Sequence, residues 1–435
     1  MAAADASPNI LSTSADIVRY LSEFVGDDSY FFFAPVCKGW EVAWGKGRPA
    51  STRPVTFDTT VTQLAYSFDN GLRRHAGLLE EAARLGRPDL LRCCLDCGCV
   101  WSRTVHAKAA EAGQRCVLEW ARGRGYSWDR NMCSGAARGG HLALLKWLRL
   151  ENKCPWDHSV CSSAALGGHL EVLQWATENG APWNGWACRG AALGGHLHVL
   201  KWLRRNGCSW DSDTCAGAAQ GGHLAILRYA RSHGCPWDPR TCSSAALGGH
   251  LDVLTWARSN GCHWNESTTC RAAEGGHLHI LKWAAAHGCP MSCNICSKAA
   301  KGGHLDVIMW AMQHGSEWDS NTCLEAALGG HLDVLKWCRA HGAPWHVDTC
   351  SAAAGGGHLA VLQWCRHNGA PAWDEGTCNA AARGGHLQVL KWARINGAPW
   401  DAKVTSWAAK GGHAPVVQWV LENGCPTGTG GSLYY

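Results

Sequence analysis

The chain is short of several things that 435 residues ordinarily supply. Phe and Tyr number only 6 and 7, Met only 5, and charged residues are 17% of the total, below the roughly 25% usual in soluble domains. With 46% apolar residues this excludes a disordered chain. A balance of 40 basic against 35 acidic residues excludes a commitment to nucleic acid or anionic membrane from net charge alone. Long hydrophobic runs are missing as well: the densest early one, Tyr30 to Val36, is broken by Pro35, so no membrane span is expected. Met1 to Asn9 lacks the basic and apolar segments of a secretory leader. The expected setting is cytoplasmic or nuclear, where the 25 Cys are reduced thiols; an odd count agrees.

What is abundant is narrow in kind: 26 Trp, 52 Gly and 23 His. Gly-Gly-His recurs with its His at His141, His169, His196, His223, His250, His277, His304, His331, His358, His386 and His413, spaced by 27 residues eight times and by 28 twice. Stepping back by 27 reaches Gln114 and Arg87 in two degenerate copies, giving thirteen tandem units. Counting from each His, Trp occupies position six in eleven units, with Tyr229 and Cys93 in the other two, and a second Trp follows about eight residues later. Only Trp40, Trp44, Trp186 and Trp407 fall outside these two ladders. A fixed period of this length marks a solenoid or a propeller.

The unit from Trp237 to Cys262 reads as two helices. Asp238 and Pro239 suit N-cap and first helical position, predicting a helix from Pro239 to about Leu247 that Gly248 and Gly249 stop. A second helix from near His250 to Asn260 and Gly261 places Leu251, Val253, Leu254, Trp256 and Ala257 on one face and Asp252, Thr255, Arg258 and Ser259 on the other. Small Cys242, Ala245 and Ala246 let the paired helix approach. Two helices this short cannot close a core, so each unit must stack on its neighbours. Gly-His and Trp-Asp both occur in β-propellers, but four strands need about 40 residues per blade, which excludes that fold.

The run Ala326 to Trp345, AALGGHLDVLKWCRAHGAPW, resembles the ankyrin repeat in its two first-helix alanines, its Gly-His turn and its terminal Gly-Ala. The resemblance recurs unit by unit and implies an all-α fold: an α-solenoid of about thirteen stacked helix-turn-helix ankyrin-like repeats. The unit is 27 residues instead of 33, and Trp-Asp stands where the family's β-hairpin finger would be, which implies a finger shortened to a loop. Family membership implies a protein–protein interaction scaffold.

Ahead of the array, Ile10 to Trp44 carries Ile17, Leu21, Phe24 and Val25 at helical spacing, a Gly26-Asp27-Asp28 turn and Val36-Cys37-Lys38-Gly39-Trp40. This resembles an F-box, which implies docking to the adaptor of a cullin-type ubiquitin ligase through Leu21, Phe24, Val36, Cys37 and Trp40. The Leu-Pro opening is absent and Gly39 replaces a basic residue, so a helical cap on the array stands beside that reading. The expected layout is a small helical N-terminal module at 10–46, a linker with a short helix around Val61 to Phe68 at 47–74, the array at 75–426, and a tail at 427–435.

A functional site should depart from the repeat pattern. Cys93, Cys94, Cys97 and Cys99 have spacing suited to zinc, but Cys93 stands in the Trp slot and Cys99 in a recurrent loop-Cys slot. The first-helix Cys ladder, Cys133 to Cys378, suits small apolar gaps. Successive His lie about 10 Å apart in a stack of helices, too far to share a metal, and favour a backbone bond at each turn. Lys146, Lys201, Arg228, Lys282, Lys336 and Lys391, with Arg149, Arg204, Arg231, Arg258, Arg339, Arg366 and Arg394 three residues on, form a basic double stripe on the second helices: a solvated face, or a surface for an acidic partner or nucleic acid. Position-six Trp read as core, and the loop Trp as wedges or exposed anchors.

No Ser-His-Asp set, carboxylate pair or phosphate loop stands outside the pattern, so neither enzyme nor cofactor is expected. Because the copies align with one another, the positions where their chemistry disagrees are the informative ones. Arg189, Arg271, Glu274, Lys298, Lys301, Glu325, Arg383 and Lys410 are the candidate contacts for a protein partner. Neutral variation on a solvated face is the alternative.

Overall fold

The computed structural model describes residues 59–69, 76–99 and 101–426, which contain helices and no strand. The F-box-like segment with Leu21, Phe24, Val36, Cys37 and Trp40 lies outside the described residues, as does the tail. A helix at Val61–Asp69 buries Leu64 and Phe68 and packs on Pro88–Asp96. Thirteen helix pairs follow, one per repeat. The chain divides at Trp183 and Asn184 into two compact units, the first holding four repeats and the second nine.

Within each unit the first helices of consecutive repeats lie side by side, as Ser212–Gln220 does on Pro239–Gly248, and each second helix packs on its own first helix. Small side chains permit this: Cys215, Ala218, Ala219, Cys242, Ala245 and Ala246 are wholly buried, and the second helices add buried Val253, Leu254 and Ala257. The solenoid core is thus a row of Ala and Cys faced by a row of Val, Leu and Ile.

Local chemistry sets the boundaries. Asp238 is extended at its N-cap and accepts a bond from the Arg240 amide at 2.9 Å, and Asp129, Asp157, Asn184, Asp211, Asn265, Asp319 and Asp374 cap in the same way. Trp-Asp is therefore a wedge followed by a cap. The first helix runs Pro239–Gly248 and the second Leu251–Ser259, each closed by a glycine at positive φ, Gly249 and Gly261. The two 28-residue intervals are absorbed differently. After His141 the extra residue becomes a π-helical turn at Trp147–Glu151, leaving Lys153 at φ 52°; after His358 it lengthens the loop at Ala372.

Candidate functional site

The His ladder is an interlock between repeats. His277 Nε2 donates to the Leu247 carbonyl at 3.0 Å, and His141, His223, His304, His331, His358, His386 and His413 make the matching bond to the preceding repeat. Glycine is needed on both sides of this contact. A Cβ on Gly249 would lie 2.7 Å from His277 Cε1, and one on Gly275 would lie 2.7 Å from the Leu247 carbonyl oxygen. In the degenerate second copy, Gln114 donates to the Arg84 carbonyl at 3.2 Å, doing what His does elsewhere. Burial lowers the pKa of His277, His358 and His386, with neighbouring His pushing the same way, against the raising effect of the backbone bond.

The Trp ladders correct the sequence reading. Of the position-six residues Trp147 and Cys93 are buried and the rest half-buried; most of the indoles lie edge-on to the loop Trp of their own repeat, as Trp256 does to Trp237 at 5.9 Å, whereas Trp310, with Met291 in the loop slot, stacks on His314 at 4.3 Å. The indoles are closed over by the basic stripe. Arg231 stacks on Trp237 at 4.2 Å and Arg228 lies over Trp256 at 5.7 Å. Arg149, Arg204, Arg258, Arg339, Arg366 and Arg394 stack on Trp156, Trp210, Trp264, Trp345, Trp373 and Trp400. Arg258 also donates to the Cys262 carbonyl at 2.6 Å. Along the Arg row the guanidiniums lie on rings, and those of Arg149, Arg204, Arg231, Arg258, Arg339 and Arg394 also bond a loop carbonyl, whereas Lys146, Arg228, Lys282 and Lys336 of the other row are exposed.

The thiols are structural. First-helix Cys133, Cys161, Cys188, Cys215, Cys242, Cys323, Cys350 and Cys378 are all buried. Burial pushes the Cys338 and Cys365 thiols up to about 12. Loop thiols bridge repeats: Cys235 Sγ donates to the Asp211 carbonyl at 3.2 Å and Cys262 Sγ to that of Asp238 at 3.5 Å. Among the described residues no group of three or more His, Cys, Asp or Glu is arranged to hold a metal. His106, one period before Cys133, occupies the Cys slot; it is 4% exposed, edge-on to Trp101 at 5.0 Å, and the alignment of copies could have singled it out.

The eight candidate contact residues divide in two. Arg271 pairs with Glu274 at 2.8 Å, Lys301 with Glu274 at 3.1 Å and Lys298 with Glu325 at 3.8 Å, a network across three first helices. Burial alone would raise the Glu274 carboxyl, but the Lys301 bond and the Arg271 charge hold it below its ordinary range. The other three lie over the off-ladder tryptophans: Arg189 over Trp186 at 5.4 Å, and Arg383 and Lys410 over Trp407 at 5.2 and 5.1 Å. Among the described residues no carboxylate pairs with these three cations. Trp186 is 51% exposed and forms, with Arg189, Asn184, Ser209, Trp210, Asp211 and Asp213, a cleft of about 510 Å³. Both tryptophans stand outside the two ladders, and that is the signal the sequence carries for them.

Residues 161–204 match the family model described as ankyrin repeats (many copies), and the repeats are ankyrin-like. No curated protein matches the sequence. Among solved structures, the human ASB11 ankyrin repeat domain is similar at 17% identity over 37% of this chain and 85% of that one, with a TM-score of 0.28. The pentatricopeptide repeat protein PPR10 from maize is similar at 14% identity over 97% and 77%, with a TM-score of 0.29. Likenesses of this grade assign this chain no function.

Proposed function

We propose that the chain is a protein–protein interaction scaffold whose contact surface is the exposed side of the first helices. The observation that carries this reading is the pair of off-ladder tryptophans, Trp186 and Trp407, each presented beside cations that no carboxylate among the described residues neutralises. Trp and Arg dominate the energetics of protein interfaces. The repeat pattern demands neither residue at these positions. Affinity capture with the full chain, set against a Trp186→Ala, Trp407→Ala variant of unchanged melting temperature, tests the reading. Proteins retained by the parent and lost by the variant support it; retention indifferent to both substitutions overturns it.

A second reading adds delivery to a cullin-type ubiquitin ligase, with the array holding the substrate. It rests on the F-box-like pattern around Leu21, Phe24, Val36, Cys37 and Trp40. Deleting residues 1–46 should then abolish adaptor binding while the helical signal of the array is kept. Failure of the intact chain to pull down an adaptor sinks this reading and leaves the first untouched.

A further inference from the structure

The first helices of the fifth and sixth repeats, Gly185–Leu193 and Ser212–Gln220, flank the cleft at Trp186. Its volume, about 510 Å³, lies within the roughly 300–1,000 Å³ of ligand clefts. The aromatic floor is Trp186, off the ladder, and Trp210, on it. Arg189 and the next helix are fitted together: a Cβ on Gly217 would lie 2.9 Å from the Arg189 carbonyl oxygen and 3.2 Å from its Cγ. Glycine at 217 thus lets the Arg189 backbone and side chain lie against the neighbouring helix.

The charges of the cleft are unequally satisfied. Asp211 accepts from the Asp213 amide at 3.0 Å, and Asp213 is held by Arg240 at 2.6 Å, which also reaches Ser212 and Asp238. Both carboxylates therefore have partners. Arg189 has only the face of Trp186, so its fork of donors is available to an acceptor that the chain itself does not bring.

We propose that this cleft docks an extended peptide segment of a partner protein that carries a single acidic residue, its Asp or Glu carboxylate on Arg189 and an adjoining apolar side chain on Trp186. The proposal rests on the scaffold reading above and gives it an occupant. Asp211 and Asp213 decide against a nucleic-acid strand, the other occupant that stacking on Trp would suit. Two carboxylates repel a continuous phosphate backbone, whereas a peptide brings one localised charge and backbone N–H donors that the outer lone pairs of Asp211 and Asp213 can accept.

Panning short random peptides displayed on phage against the full chain, with an Arg189→Glu, Trp186→Ala variant as counter-selection, tests this. Enriched sequences should pair Asp or Glu with an aromatic or aliphatic neighbour. Their affinity should fall by at least about thirtyfold in each single variant, should fall less in Arg189→Lys, and should not change when oligothymidylate is added. Circular dichroism melts of the variants should overlay the parent. Absence of acidic residues among enriched peptides, equal binding by the variants, or displacement by oligothymidylate overturns the proposal. Peptides lost only on Arg383→Glu, Lys410→Glu also overturn it, but leave the scaffold reading standing; recovery of neither peptide nor cellular protein sinks both.

Discussion

At the scale of the residue, Gly-Gly-His works as one device: the His of one repeat closes on the backbone of the repeat before it, and the glycines are what let it in. Gly249 and Gly261 separate the two demands on glycine. Both have positive φ, but a Cβ at Gly249 meets His277 whereas one at Gly261 meets open space. Gly261→Ala should cost only the left-handed penalty of about 1–2 kcal/mol. Gly249→Ala should cost more, and the excess should vanish in a His277→Ala background; equal urea midpoints for the two alanine variants would refute the interlock. Titration supplies a second test. His277, His358 and His386 have folded pKa values below that of an unfolded His, about 6.5, and buried His106 is lowered likewise by burial against the pull of Asp129. Between the two values the unfolded chain binds more protons, so stability is complete above about pH 6.5 and is lost as pH falls through the lowered folded values. Gln114 shows that an amide can make the same bond without titrating. A His277→Gln, His358→Gln, His386→Gln variant should therefore stay folded and lose less of its denaturant midpoint between pH 7.5 and about 5.5 than the parent.

At the scale of the element, helix positions were legible because each boundary has a local cause: an Asp or Asn cap, a Pro at the first turn, a Gly at the last. The third repeat shows where local signals end. Its extra residue could have entered the loop, as it does at Ala372, yet it is taken up in the second helix as a π turn. Cys154 and Trp156 keep their places: Cys154 Sγ donates to the Asp129 carbonyl at 3.2 Å and Trp156 packs on Trp175 at 5.9 Å. Lys153 thereby stands in the left-handed slot that other repeats give to glycine. Lys153→Gly should relieve it and stabilise the chain by about 0.5–1 kcal/mol, after glycine's own entropic cost. A fall in the urea midpoint would show that the Lys153 side chain does something the backbone strain does not reveal. Asp238→Ala, which removes a cap, should in contrast cost about 1 kcal/mol.

At the scale of the whole molecule, the repeat pattern revealed the architecture and concealed the use of its surface. Periodicity places Lys201 and Arg204 on one helix face, but whether that face meets water depends on the loop tryptophan of the next repeat, which the spacing of residues within a helix does not locate. Arg204 stacks on Trp210 at 4.2 Å and donates to the Cys208 carbonyl, while Lys201 lies over Tyr229 at 5.4 Å. The candidate contacts were similarly half legible: disagreement among copies pointed to Arg271, Glu274, Lys298, Lys301 and Glu325 alongside Arg189, Arg383 and Lys410, and only geometry separates those that neutralise one another from those left to face tryptophan. The consequence can be read from charge reversal. If the stripe were a nucleic-acid surface, Lys201→Glu, Arg204→Glu would weaken heparin retention and leave the melting temperature alone. Because the Arg row is committed to rings and carbonyls, the same variant should instead lose stability. The loss should be about 1–3 kcal/mol, from the cation–π contact and the bond to the loop, with elution from heparin little changed. Arg189→Glu should instead leave the melt in place, since that guanidinium covers an exposed ring. Opposite responses from two arginines that both stack on tryptophan would divide the molecule into a second-helix side that holds the array together and a first-helix side available to a partner.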